Sequence, residues 1–136
     1  TITELNLKSK YYKRKNRYLD IFGTQENKFT TLVVKIDRLD NILKNYNLEK
    51  IDILKIDTEG YDFKVIEGLG ELIKKVNYIY FEHHFHNMLI KKYTLTDIHN
   101  YMLKNNFEKK LKLKMKFRKT FEYIYSNKSF NYKTNE

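Results

Sequence analysis

Apolar residues are densest in the middle of the chain. Ile51–Ile56 is a nearly continuous run of isoleucine and leucine broken by Asp52 and Lys55, and it stops abruptly at Asp57-Thr58-Glu59-Gly60. A short apolar run of this kind suits a strand covered on both faces, as in parallel sheets. From Tyr61 to Val76 the period becomes helical. Phe63, Ile66, Leu69, Ile73 and Val76 share one face, and Val65 and Leu72 widen it. Gly68 and Gly70 interrupt this helix, each weakening it by roughly 1 kcal/mol relative to alanine. Asn77–Phe81 is a second strand that runs into Glu82-His83-His84-Phe85-His86. Strand, helix and strand in so short a span make a βαβ unit, with a right-handed crossover.

The flanks extend the pattern. Thr31–Ile36 is a short strand candidate. A helix over Asp37–Asn47 carries Leu39, Ile42, Leu43 and Tyr46 on one face, with Asp37 as its cap and Asp40 completing an imperfect capping box. Beyond the βαβ unit, Thr94-x-x-Asp97 is a capping-box pattern for a helix over Thr96–Asn106. Lys110–Phe117 alternates strictly: Lys110, Lys112, Lys114 and Lys116 on one side, Leu111, Leu113, Met115 and Phe117 on the other. That is the period of a half-exposed strand. Phe121–Tyr125 follows after a short link and completes a hairpin. Residues 1–30 show little apolar periodicity and are expected to be an irregular basic and tyrosine-rich segment. Residues 31–128 form an α/β domain, and 129–136 a polar tail.

Composition adds three constraints. With 41% hydrophobic residues among 136, the chain can build a core. No apolar run is long enough to cross a membrane, and the charged first residues do not form a secretory leader. The chain has no cysteine, so it has no disulfide or thiolate chemistry, and a reducing cytoplasm is the expected location. Lysine and arginine number 27 against 17 acids, a net charge of +10. Alanine, proline and tryptophan are absent while lysine, asparagine and isoleucine abound, the residue usage of an AT-rich genome. That source of lysine favours a solvated basic surface over a nucleic-acid partner. The run Lys8–Tyr18, which interleaves lysines and arginines with Tyr11, Tyr12 and Tyr18, reads as a solvated excursion or as an anion-binding segment. The lysine row of the hairpin reads as protection of a sheet edge.

Chemistry gathers at the strand ends. In open α/β sheets ligands bind beyond the carboxyl ends of the strands, where Asp57 and Glu59 stand. These carboxylates could serve as general base, hold a divalent metal or bind a hydroxyl, or one could simply cap the next helix. In the second run Glu82 and His84 share a strand face and His83 does not. One histidine acting as a base near neutral pH is more economical than a metal centre built from this run, and a structural or surface role for most of these histidines is the plainest reading. No G-x-G-x-x-G turn for a nucleotide-type cofactor is present; the glycines stand at 23, 60, 68 and 70.

The stretch from Val34 to Glu82 resembles the FkbM-type methyltransferase family. The resemblance is carried by Lys35-Ile-Asp-Arg-Leu-Asp40, by Ile51-Asp-Ile-Leu-Lys-Ile-Asp-Thr-Glu-Gly-Tyr-Asp62, by Val65-Ile-Glu-Gly-Leu69 and by Tyr78-Ile-Tyr-Phe-Glu82. It implies a Rossmann-like class I fold whose C-terminal part is represented here: parallel strands with helices, closed by an antiparallel hairpin. The activity implied is methyl transfer from S-adenosyl-L-methionine to a hydroxyl of a sugar or secondary product. The implied catalytic candidates are Asp57, Glu59, Glu82 and His84. A metal bridged by Asp57 and Glu82 is a secondary possibility. The family's cofactor-binding glycine turn and ribose-binding acid are expected upstream of Thr1, so the chain reads as a fragment. Such a fragment is expected to lack activity alone and to self-associate through an open sheet edge. The competing reading is a non-catalytic basic module that binds RNA or an anionic glycan.

Overall fold

In the computed structural model, which describes residues 3–21, 32–116 and 118–130, a nine-residue strand is the axis of the fold. This is β2 (Val76–His84). It pairs in parallel with β1 (Ile51–Ile56) on one side and antiparallel with β4 (Thr120–Asn127) on the other. The edge strand β3 (Phe107–Lys114) is antiparallel to β4, giving the order β1-β2-β4-β3. β3 therefore runs in the same direction as β1 and β2, and β4 is the single reversed strand.

One face of this sheet is the core. Ile56, Ile79, Phe81, Tyr123, Tyr125 and Phe107 are buried there against Ile66, Ile98 and Met102 of the helices α3 (Asp62–Glu67) and α4 (Leu95–Lys104). The rings of Phe81 and Tyr123 stack with centroids 5.6 Å apart. The other face carries Ile53, Tyr78, Tyr80, Ile124, Leu111 and Leu113, as the strand register requires. Ile53, Tyr78, Leu111 and Leu113 are exposed on it.

The alternation in β3 is thus present but turned the other way. Its lysines lie on the helix side, where Lys112 Nζ sits 4.6 Å from the Phe121 ring centroid. Its leucines lie on the bare side. A register shift between Lys109 and Leu111 sets this phase. The expected half-exposed strand is instead exposed from Lys109 through Lys114. β1 likewise is not covered on both faces: only Ile56 is buried, and Ile53 is 65% exposed.

Several other elements differ from the periodicity. Residues 32–38 form no strand and Val33 is fully exposed; Thr31 lies outside the described residues. The helix that follows, α2, spans only Leu39–Leu43, with Arg38 rather than Asp37 at its N-cap. Asp37 instead accepts from the Arg38 backbone N–H and the Asn41 side chain. The long helix expected from Tyr61 to Val76 is two pieces, α3 and a 3₁₀ helix over Gly70–Lys75. Gly70 takes φ +51° at the junction, and a Cβ there would meet Asp40 Oδ2 at 2.7 Å. The second strand is longer than expected, so Glu82, His83 and His84 are strand residues. The helix at Thr94 follows its pattern: Thr94 Oγ accepts from the Asp97 backbone N–H and Asp97 accepts from that of Thr94.

The N-terminal segment departs most from its expected irregularity. Residues Lys10–Ile21 form a helix, α1, started by Ser9, whose Oγ accepts from the Tyr12 backbone N–H. The residues before it are tied to the loop after β2. Asn6 N–H donates to the Met88 carbonyl, Ile90 N–H donates to the Glu4 carbonyl, and Leu5 bridges Leu89. This tether lays α1 beside the carboxyl end of β2. Residues 22–30 and Phe117 lie outside the described residues, as do 131–136 of the expected tail.

Candidate active site

The turn after β1 is built around a carboxylate that sequence reasoning did not single out. Asp62, in the first turn of α3, is 1% exposed. Its Oδ1 accepts from the Thr58 backbone N–H at 3.0 Å and from Thr58 Oγ at 3.1 Å, and its Oδ2 accepts from the Gly60 N–H at 3.1 Å. These bonds clamp the turn on both sides of Glu59, which is held at φ +51°. A non-glycine residue in that region costs roughly 1–2 kcal/mol, and it persists where its surroundings over-determine it. Neither Asp57 nor Glu59 caps α3. Its N-cap is Tyr61, which makes no side-chain cap.

Gly60 is buried with φ +92°, and a Cβ there would meet Leu89 Cδ1 at 3.1 Å and Thr3 Oγ1 at 3.3 Å. Tyr93 Oη donates to the Gly60 carbonyl at 2.9 Å. The loop after β2 therefore packs down on the turn after β1, and the two strand ends form one site.

Glu59 projects from that turn toward His84 at the end of β2. His84 Nε2 lies 3.5 Å from Glu59 Oε2 and 3.7 Å from Glu82 Oε2. The His84 side chain is buried and Glu59 is more than half exposed. Burial lowers the His84 pKa, and Glu59 partly opposes that shift, so the imidazole is neutral near pH 7. Glu82 is raised, first by burial and then by Asp57, Glu122 and Glu59. Glu122 is itself bound by Tyr80, whose hydroxyl donates to it at 2.5 Å and whose pKa is pushed up to about 12. Lys91 Nζ donates to the His84 carbonyl and fixes the strand end.

Glu59 and His84 open into a cleft of about 760 Å³, a size typical of ligand pockets. Its far walls are Tyr11, Arg14, Lys15 and Tyr18 of α1 and Lys116, Arg118 and Thr120 at the β3–β4 turn. Tyr11 stacks on His86 with ring centroids 4.2 Å apart. Of the four sequence candidates, then, Glu59 and His84 line the cleft. Glu82 stands behind His84. Asp57 is exposed, is not among the lining residues, and contributes charge to Glu82. His83 faces away, beside Phe85 and Tyr93, as the strand period requires. Among the described residues no group of three or more acids and histidines is arranged to hold a metal ion.

The α1 wall comes from the Lys8–Tyr18 run, for which the sequence offered a solvated excursion or an anion-binding segment but no helix. Tyr11, Arg14, Lys15 and Tyr18 stand at i, i+3, i+4 and i+7, one helical face. That face is polar and aromatic, so a search for apolar periodicity passes over it.

Acid and base groups gathered beyond the carboxyl ends of neighbouring parallel strands are the layout of an α/β enzyme domain. Residues 4–109 match the family model described as the Methyltransferase FkbM domain, and the chain belongs to that family. No match is found among curated proteins or among solved structures.

Proposed function

We propose that the chain is the acceptor-side part of an S-adenosylmethionine-dependent methyltransferase that methylates a hydroxyl, with His84 as the base. The observation that carries this reading is His84 Nε2, set between Glu59 and Glu82 at the floor of the cleft. Both separations exceed ordinary hydrogen-bond length. A substrate hydroxyl seated beside Nε2 can pass its proton there when the neutral ring carries its hydrogen on Nδ1, a buried atom that has no hydrogen-bond partner among the described residues. Glu59 and Glu82 steady the imidazolium that forms, and Asp62 holds Glu59 in place. Asp57 adds negative potential without touching the acceptor.

Sheet order supports a Rossmann-like class I architecture, since parallel strands closed by one reversed strand form the C-terminal part of such a sheet. The donor that the family implies supplies an electrophilic methyl group. The turn after β1 does not fit its nucleotide end. Gly60, the glycine of the turn after β1, is filled by Leu89 and Thr3 rather than open to a ligand.

The test is methyl transfer from labelled S-adenosylmethionine to a panel of hydroxylated acceptors, using the product of the full reading frame. His84→Gln should lower kcat by about 100-fold or more, the usual contribution of a general base. An unchanged kcat in that variant would remove His84 from the role.

A further inference from the structure

The cleft has a composition that a hydroxyl-binding pocket does not require. Among the described residues its lining holds one acid, Glu59, and two imidazoles that burial keeps neutral, His84 and His86. Its walls hold four cations drawn from two separate elements: Arg14 and Lys15 from α1, Lys116 and Arg118 from the β3–β4 turn. Among the described side chains none of these four is within ion-pair distance of an acid. Like charges brought together in this way repel, and they gain from an anion placed among them. Two of the four are guanidinium groups, whose fork matches carboxylate or phosphate oxygens.

Two tyrosines line the same cavity. Tyr18 is 61% exposed and Tyr11 is fixed by its stack on His86 and by the Arg14 guanidinium, 5.4 Å from its ring centroid. Tyr18 offers an exposed planar apolar surface with a polar rim, which suits the C–H face of a sugar ring, while half-buried Tyr11, stacked on His86, holds that wall in place. The placement is built, not adventitious. The backbone bonds from Asn6 to Met88 and from Ile90 to Glu4 hold α1 across the strand ends.

We infer that the methyl acceptor is an anionic sugar, one bearing a phosphate or carboxylate, bound with its ring on Tyr18 of α1 and its anionic group between Arg14 and Arg118. This inference rests on the methyltransferase reading only for the word acceptor; the binding itself requires no donor. The bases of an RNA would need further stacking surface along a groove, whereas this cavity is bounded at its floor by Glu59 and His84.

Calorimetric titration of the chain with glucose 6-phosphate, glucuronic acid, glucose, inorganic phosphate and oligouridylate tests it. The two anionic sugars should bind at least tenfold more tightly than glucose and more tightly than phosphate alone. Their affinity should fall as salt is raised. Arg14→Ala and Arg118→Ala, both surface changes, should each weaken anionic-sugar binding at least fivefold and leave the far-ultraviolet dichroism unchanged. Arg14→Lys should retain part of the affinity. Equal binding of glucose and its phosphate would overturn the inference, as would tighter binding of oligouridylate or indifference to both arginine variants. Charge-dependent sugar binding without methyl transfer in the full reading frame would leave this inference standing and remove the activity. Transfer to neutral acceptors, unaffected by the arginine variants, would do the reverse.

Discussion

Asp62 shows how one buried carboxylate can decide a site it does not enter. Its two oxygens take three donors from Thr58 and Gly60, and the residue between them, Glu59, sits in a backbone region that resists side chains. Removing the carboxylate leaves buried donors without partners, which costs about 1–3 kcal/mol for each such group. Asp62→Ala should therefore lower unfolding free energy by about 2–4 kcal/mol in a urea titration. A change under about 0.5 kcal/mol would mean that the turn does not depend on Asp62. The histidines set a pH dependence. Burial lowers His83 and His86 to about 4 from the ordinary 6.5, and lowers His84 as well. Between pH 6.5 and about 4 the unfolded chain takes up protons that these folded histidines refuse, so stability is full above 6.5 and falls with pH through that window. Glu82, whose pKa is raised, acts in the opposite direction but is one group against three. Thermal melts across that range should show the decline, and His83→Leu should flatten it. A melting temperature that stays constant or rises on acidification would contradict this balance.

At the scale of elements, the α4 cap was legible, while the α2 cap expected at Asp37 and the helix lengths were not. Thr94 and Asp97 make the reciprocal bonds that their spacing announces, because a capping box depends on residues only three apart. Thr94→Ala should cost about 1 kcal/mol, measured by chemical unfolding; an unchanged midpoint would show that α4 is held by packing alone. The Tyr61–Val76 pattern kept its apolar face but lost its continuity. Gly70 adopts a positive φ and lies against Asp40, a contact with a different helix that no local period reports. In α1 the opposite happened. Apolar periodicity was weak and the helix forms, because Ser9 caps it and the loop after β2 tethers the residues before it. β3 retains its two-residue period, yet a register shift turns its leucines toward the open face.

Among the described residues the two faces of the sheet differ. Helices cover one face of the sheet, while Ile53, Tyr78, Leu111 and Leu113 stand exposed on the other, and the outer edge of β1 has no neighbour among the described strands. Exposed strand edges and apolar patches drive association. The chain is expected to self-associate, so sedimentation velocity should show mass rising with concentration. A double change, Ile53→Lys with Leu113→Lys, should shift it toward monomer. A monodisperse wild-type monomer would show that the bare face is tolerated in water. The net charge of +10 opposes this association at low salt, so raising salt should strengthen it.

The amino-acid sequence by itself determined the βαβ unit, the α4 cap, the closing hairpin and the acidic turn of the family pattern. Each of these rests on residues close together in the chain, where period and hydrogen-bonding chemistry act directly. Only the tertiary structure decided which carboxylate clamps the turn, which face of the sheet the helices cover, and which elements wall the cleft. It also placed His84 between Glu59 and Glu82, and α1 opposite them. Those choices depend on strand register and on contacts between distant segments, such as Glu4 with Ile90. Local preference leaves such contacts undetermined, because they come from packing the whole chain at once.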